Sequence, residues 1–166
     1  MSSLALTEEV SPPVTREQEG RSIVQRYALA AGGIGLVPAP VFDELAIAGV
    51  IGKMVYDLGQ LYTVPTPHYR TKAIVATLLG GLHSAWITRY LASYALLLFP
   101  GIGYLASATI RPVVSGAVVY AIGFIFIKQF SHGHTLDSFD TNAAKQEFER
   151  GFAAGKAFMQ EQLTAR

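Results

Sequence analysis

Residues 112–127 read PVVSGAVVYAIGFIFI, an uncharged run with Arg111 before it and Lys128 after it. No acid, base or amide interrupts it, and Ser115, Gly116, Ala117, Ala121 and Gly123 scatter small side chains through it. A helix that is apolar on every side must be enclosed, either by protein or by lipid. Three more uncharged runs lie upstream, at 27–42, 73–88 and 90–110, the last broken by Pro100-Gly101. A spanning helix needs about 20 apolar residues. Each run is therefore short, or reaches that length only by taking in Arg89 or Arg111. The pattern predicts apolar helices that enter an apolar medium rather than clean single spans.

Composition narrows the class. The chain has 166 residues, with 13 Lys plus Arg against 12 Asp plus Glu, a net charge of +1 and a charged fraction of 15%. Ordinary soluble domains are about 25% charged. The mean hydropathy is +0.33. Without a basic excess, a nucleic-acid-binding domain is not expected. Most of the chain is too apolar for disorder. With no Cys there is no disulfide framework, thiolate metal site or cysteine nucleophile.

Working outward from the central run, proline and glycine breaks divide the chain. Residues 1–20 form a polar tail with Pro12-Pro13 and four acids, Glu8, Glu9, Glu17 and Glu19. No base precedes its short Leu4–Leu6 stretch, so it does not read as a secretory signal, and the N-terminus is expected to face the cytoplasm. Helical segments are expected at 21–37, 41–62, 69–99 and 103–130, separated by Pro38-Ala39-Pro40, Pro65-Thr66-Pro67 and Pro100-Gly101. A fifth, 141–163, is amphipathic: Ala144, Phe148, Phe152, Gly155 and Met159 recur at helical spacing, with Asp140 or Thr141 as N-cap. The expected fold is all-α: two hydrophobic helical hairpins over 21–135, then a C-terminal amphipathic helix within 136–166.

Charges favour one end of such hairpins. The tail, the 67–72 link and the C-terminal region carry most of them, while the tips at Pro38, Pro40, Pro100 and Gly101 lie in uncharged sequence. Asp43 lies within a turn of the first tip and Arg111 follows the second, so the two could pair. Ionised groups in hydrocarbon need partners or water. Alternatively, Asp43 caps the second helix. Asp43, Lys53, Asp57 and Gln60 fall on one arc of that helix, with Lys53 and Asp57 at ion-pair spacing. The stripe reads as a solvated face, a partner-facing surface or a polar path. Gly80/Ser84, Gly81/Ala85 and Ala117/Ala121 are small-xxx-small pairs suited to close helix packing and self-association.

Other motifs carry little chemistry. His132-Gly133-His134 with Asp137 lacks a third firm metal ligand, and His83 beside Trp86 reads as a buried histidine. Gly32-Gly33-Ile34-Gly35 has no Gly-Lys-Ser/Thr ending, so no nucleotide loop is expected. No nucleophile elbow or zinc-protease helix is present. The expectation is a protein without catalytic residues, cofactor or metal.

The order of landmarks, however, is distinctive. Residues 28–40 (ALAAGGIGLVPAP), then Asp43, Lys53-Met54-Val55-Tyr56-Asp57-Leu58 and Tyr62, followed by Phe99-Pro100-Gly101-Ile102-Gly103, Tyr120-Ala121-Ile122-Gly123 and Gly133, resemble the YcjF-like family of bacterial hydrophobic helical domains. The resemblance covers about residues 22–135. Two positions depart: Ile51 stands where such domains have Gln, and Leu96-Leu97-Leu98-Phe99 replaces a Lys before the Pro-Gly turn. The resemblance implies a domain that accompanies Era-like GTPases, and it brings no catalytic residues. The expected function is a membrane-associated scaffold or adaptor, bound to membrane lipid, self-associating, and presenting its polar ends to a cytoplasmic partner such as a GTPase. A small channel or transporter subunit lined by Asp43, Lys53, Asp57 and Arg111, and a soluble helical homo-oligomer, are the alternatives.

Overall fold

Thr15 and Gln18 start the first helix. Thr15 N donates to Gln18 Oε1 at 2.9 Å and Gln18 N donates to Thr15 Oγ1 at 3.3 Å, a reciprocal cap that satisfies two otherwise orphaned amides. The helix, α1, runs Arg16–Ile34. It begins five residues before the expected start, inside what reads as tail, because a polar first turn with Glu17 and Glu19 suits the positive end of a helix. This computed structural model describes residues 15–34, 36, 40–81 and 103–165, with side chains described for 15–34, 36, 46–78 and 110–165.

Four more helices follow: α2 (Pro40–Tyr62), α3 (His68–Gly81), α4 (Gly103–Ser131) and α5 (Thr141–Thr164). A 3-10 turn at Leu136–Ser138 precedes α5. No strand occurs among the described residues, and the chain is all-α. Pro40 opens α2, where a missing amide hydrogen costs nothing. Asp43 therefore lies on helical backbone past the start of α2 and is not its cap. Asp140 caps α5: its Oδ1 accepts from Asn142 N at 2.9 Å and Ala143 N at 3.1 Å.

Helices α2 and α4 stop in the same way. Val64 N reaches Gly59 O at 2.8 Å and Thr63 N reaches Gln60 O at 3.3 Å; His134 N reaches Gln129 O at 3.0 Å and Gly133 N reaches Phe130 O at 3.1 Å. Each is a Schellman cap, which needs a left-handed residue. Gly133 supplies it at φ 78, and Thr63 supplies it at φ 60, a conformation a β-branched residue rarely adopts.

Around α4 the rest is assembled. It packs most extensively on α5 and α1, and also on α2. Val119, Ala121, Ile122, Ile125 and Phe126 are at most 1% exposed. The pairs Gly20 with Ile127, Gly123 with Val24, and Gly32 with Pro112 show that α1 and α4 run antiparallel. Gly151 on Ala121 and Gly155 on Ala117 show the same for α5 and α4. Helix α2 returns along α1, since Tyr27 meets Asp57 and the Tyr62 hydroxyl reaches Arg16 O at 3.5 Å. Buried residues of all five helices and Leu136 of the 3-10 turn join the main core, and Ala28, Val113 and Met159 form a second, smaller cluster. Phe126, Phe130 and Phe139 close one end of it with ring centroids 5.4–5.6 Å apart.

The packing of α3 and α5 adds detail to the expected arrangement. Helix α3 makes no packing contact with α4 among the described residues; it leans on α2, α5 and the 3-10 turn. The second expected hairpin falls largely outside the described residues, which leave out its tip at Pro100 and Gly101 and the third segment beyond Gly81. The amphipathic helix, α5, is not an appendage either. Phe148, Phe152 and Met159 are buried in the bundle, because α4 offers a groove of small residues into which it fits.

Candidate functional site

The bundle has two chemically different ends. Gly32 of α1, Pro112 of α4 and Met159 of α5 are neighbours, so the last turn of α1, the third turn of α4 and the last turns of α5 lie together. Leu36, Ile110 and Leu163, which are 63%, 40% and 42% exposed, belong to this end. A shallow cleft of about 430 Å³ between α4 and α5 opens there, lined by Ile110, Val113, Val114 and Leu163 with Lys156 and Gln160. The opposite end holds most of the ion pairs. Glu17 binds Arg21 at 2.8 Å, Lys128 binds Glu147 at 2.6 Å, and Arg70 pairs with Asp137 across the connection to α5.

Between the ends, α1 and α2 are tied by a polar cluster. The Tyr27 hydroxyl donates to Asp57 Oδ2 at 2.5 Å, Lys53 pairs with Asp57 Oδ1, and Lys53 Nζ lies 5.1 Å from the Tyr56 ring centroid. Burial opposes ionisation of Asp57, but the Lys53 and Tyr27 hydrogen bonds outweigh it and hold the carboxyl below its ordinary range. Burial first, and then the bond to Asp57, push the Tyr27 phenol up to about 12. The chemistry is a local tie: both charges are answered.

The other sequence candidates separate. Antiparallel packing puts Tyr27 level with the middle of α4, and Arg111 about 13 Å further toward the apolar end at 1.5 Å per residue. Arg111 is half-buried and makes no ion pair among the described residues; it does not join Lys53 and Asp57. Asp43 is helical, but its side chain lies outside the described residues, as do Pro38, Ser84 and Ala85. Pro40, Gly80 and Gly81 are helical positions. His132 Nδ1 lies 2.6 Å from Lys128 O, and Asp137 is taken by Arg70.

Ala117 and Ala121 are fully buried beneath α5. A Cβ on Gly155 would sit 2.9 Å from Ala117 Cα, and one on Gly151 would sit 3.0 Å from Ala121 Cα. This small-residue face is thus occupied within the chain. Met159 fills the next notch: a Cβ on Gly116 or Gly32 would come within 2.5 Å of its Sδ or Cε atom. The Gly151–Gly155 spacing was readable from sequence beside Ala117–Ala121, but nothing in it said that the two stripes face each other.

Sequence reasoning missed a groove between α2 and α3. It holds about 780 Å³, and Ala48, Gly49, Gly52, Val75 and Ala76 form its walls. Among the described residues, nothing stands within 4 Å of where a Cβ on Gly49 or Gly52 would be. Lys53, Tyr56, His68 and Lys72 line its other part, and no acid does among the described residues. The signal in the sequence was faint: two glycines on an apolar helix, and a basic link.

Among the described residues, one helix, over Ile110–Ser131, is long and apolar enough to cross a membrane, and most of it is covered by the rest of the chain. No solved structure matches the chain. A curated relative, Magnetosome membrane protein 22 of Magnetospirillum gryphiswaldense, is 29% identical over 144 residues, covering 87% of this chain and 74% of that protein. The domain of unknown function DUF697 matches residues 9–153. With its bundle lying almost wholly inside that match, the chain belongs to the DUF697 family.

Proposed function

We propose that this protein is a non-enzymatic, membrane-associated helical scaffold that rests its apolar end in the bilayer and turns its charged end to the cytoplasm. The observation that carries the reading is the polarity of the bundle: Leu36, Ile110 and Leu163 are exposed at one end, with ion pairs gathered at the other. Exposed apolar side chains grouped at one end of a folded domain mark a membrane or partner surface. The membrane relative supports the first choice. Because α5 spends its apolar face inside the bundle, a partner meets its outer face toward the charged end, where Lys145, Glu149 and Arg150 are exposed. A GTPase is the partner that the YcjF-like resemblance implies, and self-association would use surfaces other than Ala117 and Ala121.

Alkaline extraction of membranes from cells expressing the full chain tests this directly. The protein is expected in the pellet. Single cysteines in this cysteine-free chain refine the answer: Leu36→Cys and Leu163→Cys should resist aqueous thiol reagents, while Lys145→Cys reacts once the membrane is opened. Recovery in the alkaline supernatant with all three sites reactive would overturn the reading.

A further inference from the structure

We infer that the groove between α2 and α3 is a binding site for one anionic phospholipid. The inference rests on the membrane reading above, and it comes from the way the groove is graded along its length. Helix α2 advances from the apolar end toward the charged end, so Ala48, Gly49 and Gly52 precede Lys53 and Tyr56 in that direction. After the 63–67 connection α3 turns back, and its order is reversed: His68 and Lys72 come first, Val75 and Ala76 later. The basic groups therefore gather toward the charged end, and the apolar walls continue toward the end placed in the bilayer. A phospholipid has this same order, phosphate outward and acyl chain inward.

Charge complementarity selects the headgroup. Among the described residues, three basic side chains, Lys53, His68 and Lys72, line the groove and no acidic one does. Lys53 is shared with Asp57, whereas Lys72 makes no ion pair among the described residues. Tyr56 is 49% exposed beside them, an amphipathic ring of the kind found at headgroup level. Arg70, the nearest other cation in sequence, is occupied by Asp137. A net-anionic lipid answers the excess positive charge; a zwitterionic one carries its own cation and does not. The glycines explain the shape. Any side chain at Gly49 or Gly52 would project into the volume an acyl chain needs.

The test uses the purified full chain and two short-chain probes below their micellar concentrations, dihexanoyl phosphatidylglycerol and dihexanoyl phosphatidylcholine. Native mass spectrometry follows retention, in mild detergent or, should the chain prove extractable, in plain buffer. The wild type should hold one phosphatidylglycerol per chain and bind it at least tenfold tighter than phosphatidylcholine. Lys72→Glu should weaken phosphatidylglycerol by about tenfold, as loss of one charge-assisted contact does, and leave phosphatidylcholine unchanged. The double variant Gly49→Leu/Gly52→Leu should melt no lower than the wild type, because both new side chains enter open space and Leu favours a helix over Gly, and should lose both lipids. Equal affinity for the two probes, or full phosphatidylglycerol binding by the filled variant, overturns the inference. A photo-reactive residue at Tyr56 that captures a second chain instead of lipid also overturns it, assigning the groove to self-association. Failure of membrane association is read separately by alkaline extraction, and the soluble probes report on the groove either way.

Discussion

The glycines of α4 and α5 and two of those in α2, Gly49 and Gly52, look alike in sequence and stand in opposite surroundings. Gly116, Gly151 and Gly155 are pressed against a neighbouring helix, where a Cβ would meet backbone or Met159 at 2.5–3.0 Å. Gly49 and Gly52 face nothing within 4 Å among the described residues. In the first region, glycine allows two helices to approach closely and dispersion contacts to accumulate. In the second it costs helix stability, about 1 kcal/mol relative to Ala at each position, and leaves a groove open. One residue type thus closes a seam in one place and keeps a cavity in another.

Substitutions can break that comparison. The largest effect is expected at the seam: Gly155→Val drives a branched side chain into Ala117 Cα and Tyr120 Cβ, both 2.9 Å from the new Cβ position. Overpacking costs about 1–3 kcal/mol or more, and with backbone as the obstacle the upper part of that range is expected. Thermal unfolding should show a melting temperature lower by many degrees; an unchanged melt would mean that α5 can shift freely on α4. Next is Tyr27→Phe, which leaves Asp57 short of a charge-assisted hydrogen bond, a loss of about 1.5–3 kcal/mol before allowance for its partial exposure.

The same tie has a pH signature. The folded Asp57 carboxyl lies below its ordinary value, so its contribution is complete above about pH 4 and fades as pH falls through the lowered value. Tyr27 works in the other direction. With its phenol raised to about 12, that contribution is complete below about pH 10 and is lost as pH climbs toward 12. Denaturant midpoints measured across pH should fall at both extremes in the wild type. Tyr27→Phe should flatten the alkaline limb, and Asp57→Asn the acid one.

Two smaller changes should stabilise. Thr63→Gly relieves a β-branched residue at φ 60, for a gain of about 1 kcal/mol. Gly49→Ala or Gly52→Ala should each add about 0.5–1 kcal/mol and raise the melting temperature slightly. A fall at either position would show that the groove walls are in contact with something.

How much could be read from sequence differs between these regions for physical reasons. The all-α class, the five helices and a cap at Asp140 or Thr141 follow from periodicity and local hydrogen-bond chemistry, and the cap proves to be Asp140. The start at Arg16 escaped notice because a capping box of Thr15 and Gln18 resembles an ordinary polar tail. Lys53 and Asp57 were legible as an i,i+4 pair, but Tyr27, 30 residues away, belongs to tertiary structure alone. The same holds for the partner of Ala117 and Ala121: spacing announces a close approach without saying which helix approaches. The α2–α3 groove is a space between helices, and a one-dimensional pattern carries only its wall residues.

The antiparallel contact of α1 with α4 has a consequence for how the chain is made. Gly20 and Val24 rest on Ile127 and Gly123, positions about 100 residues later. At about 5–20 residues per second, the ribosome takes roughly 5–20 s to deliver α4 after α1 has emerged. Throughout that interval α1 and α2 hold each other through Tyr27 and Asp57, with the apolar faces meant for α4 still bare. The nascent pair is then at its stickiest, and a membrane or chaperone waiting at the exit tunnel has seconds, not milliseconds, in which to meet it.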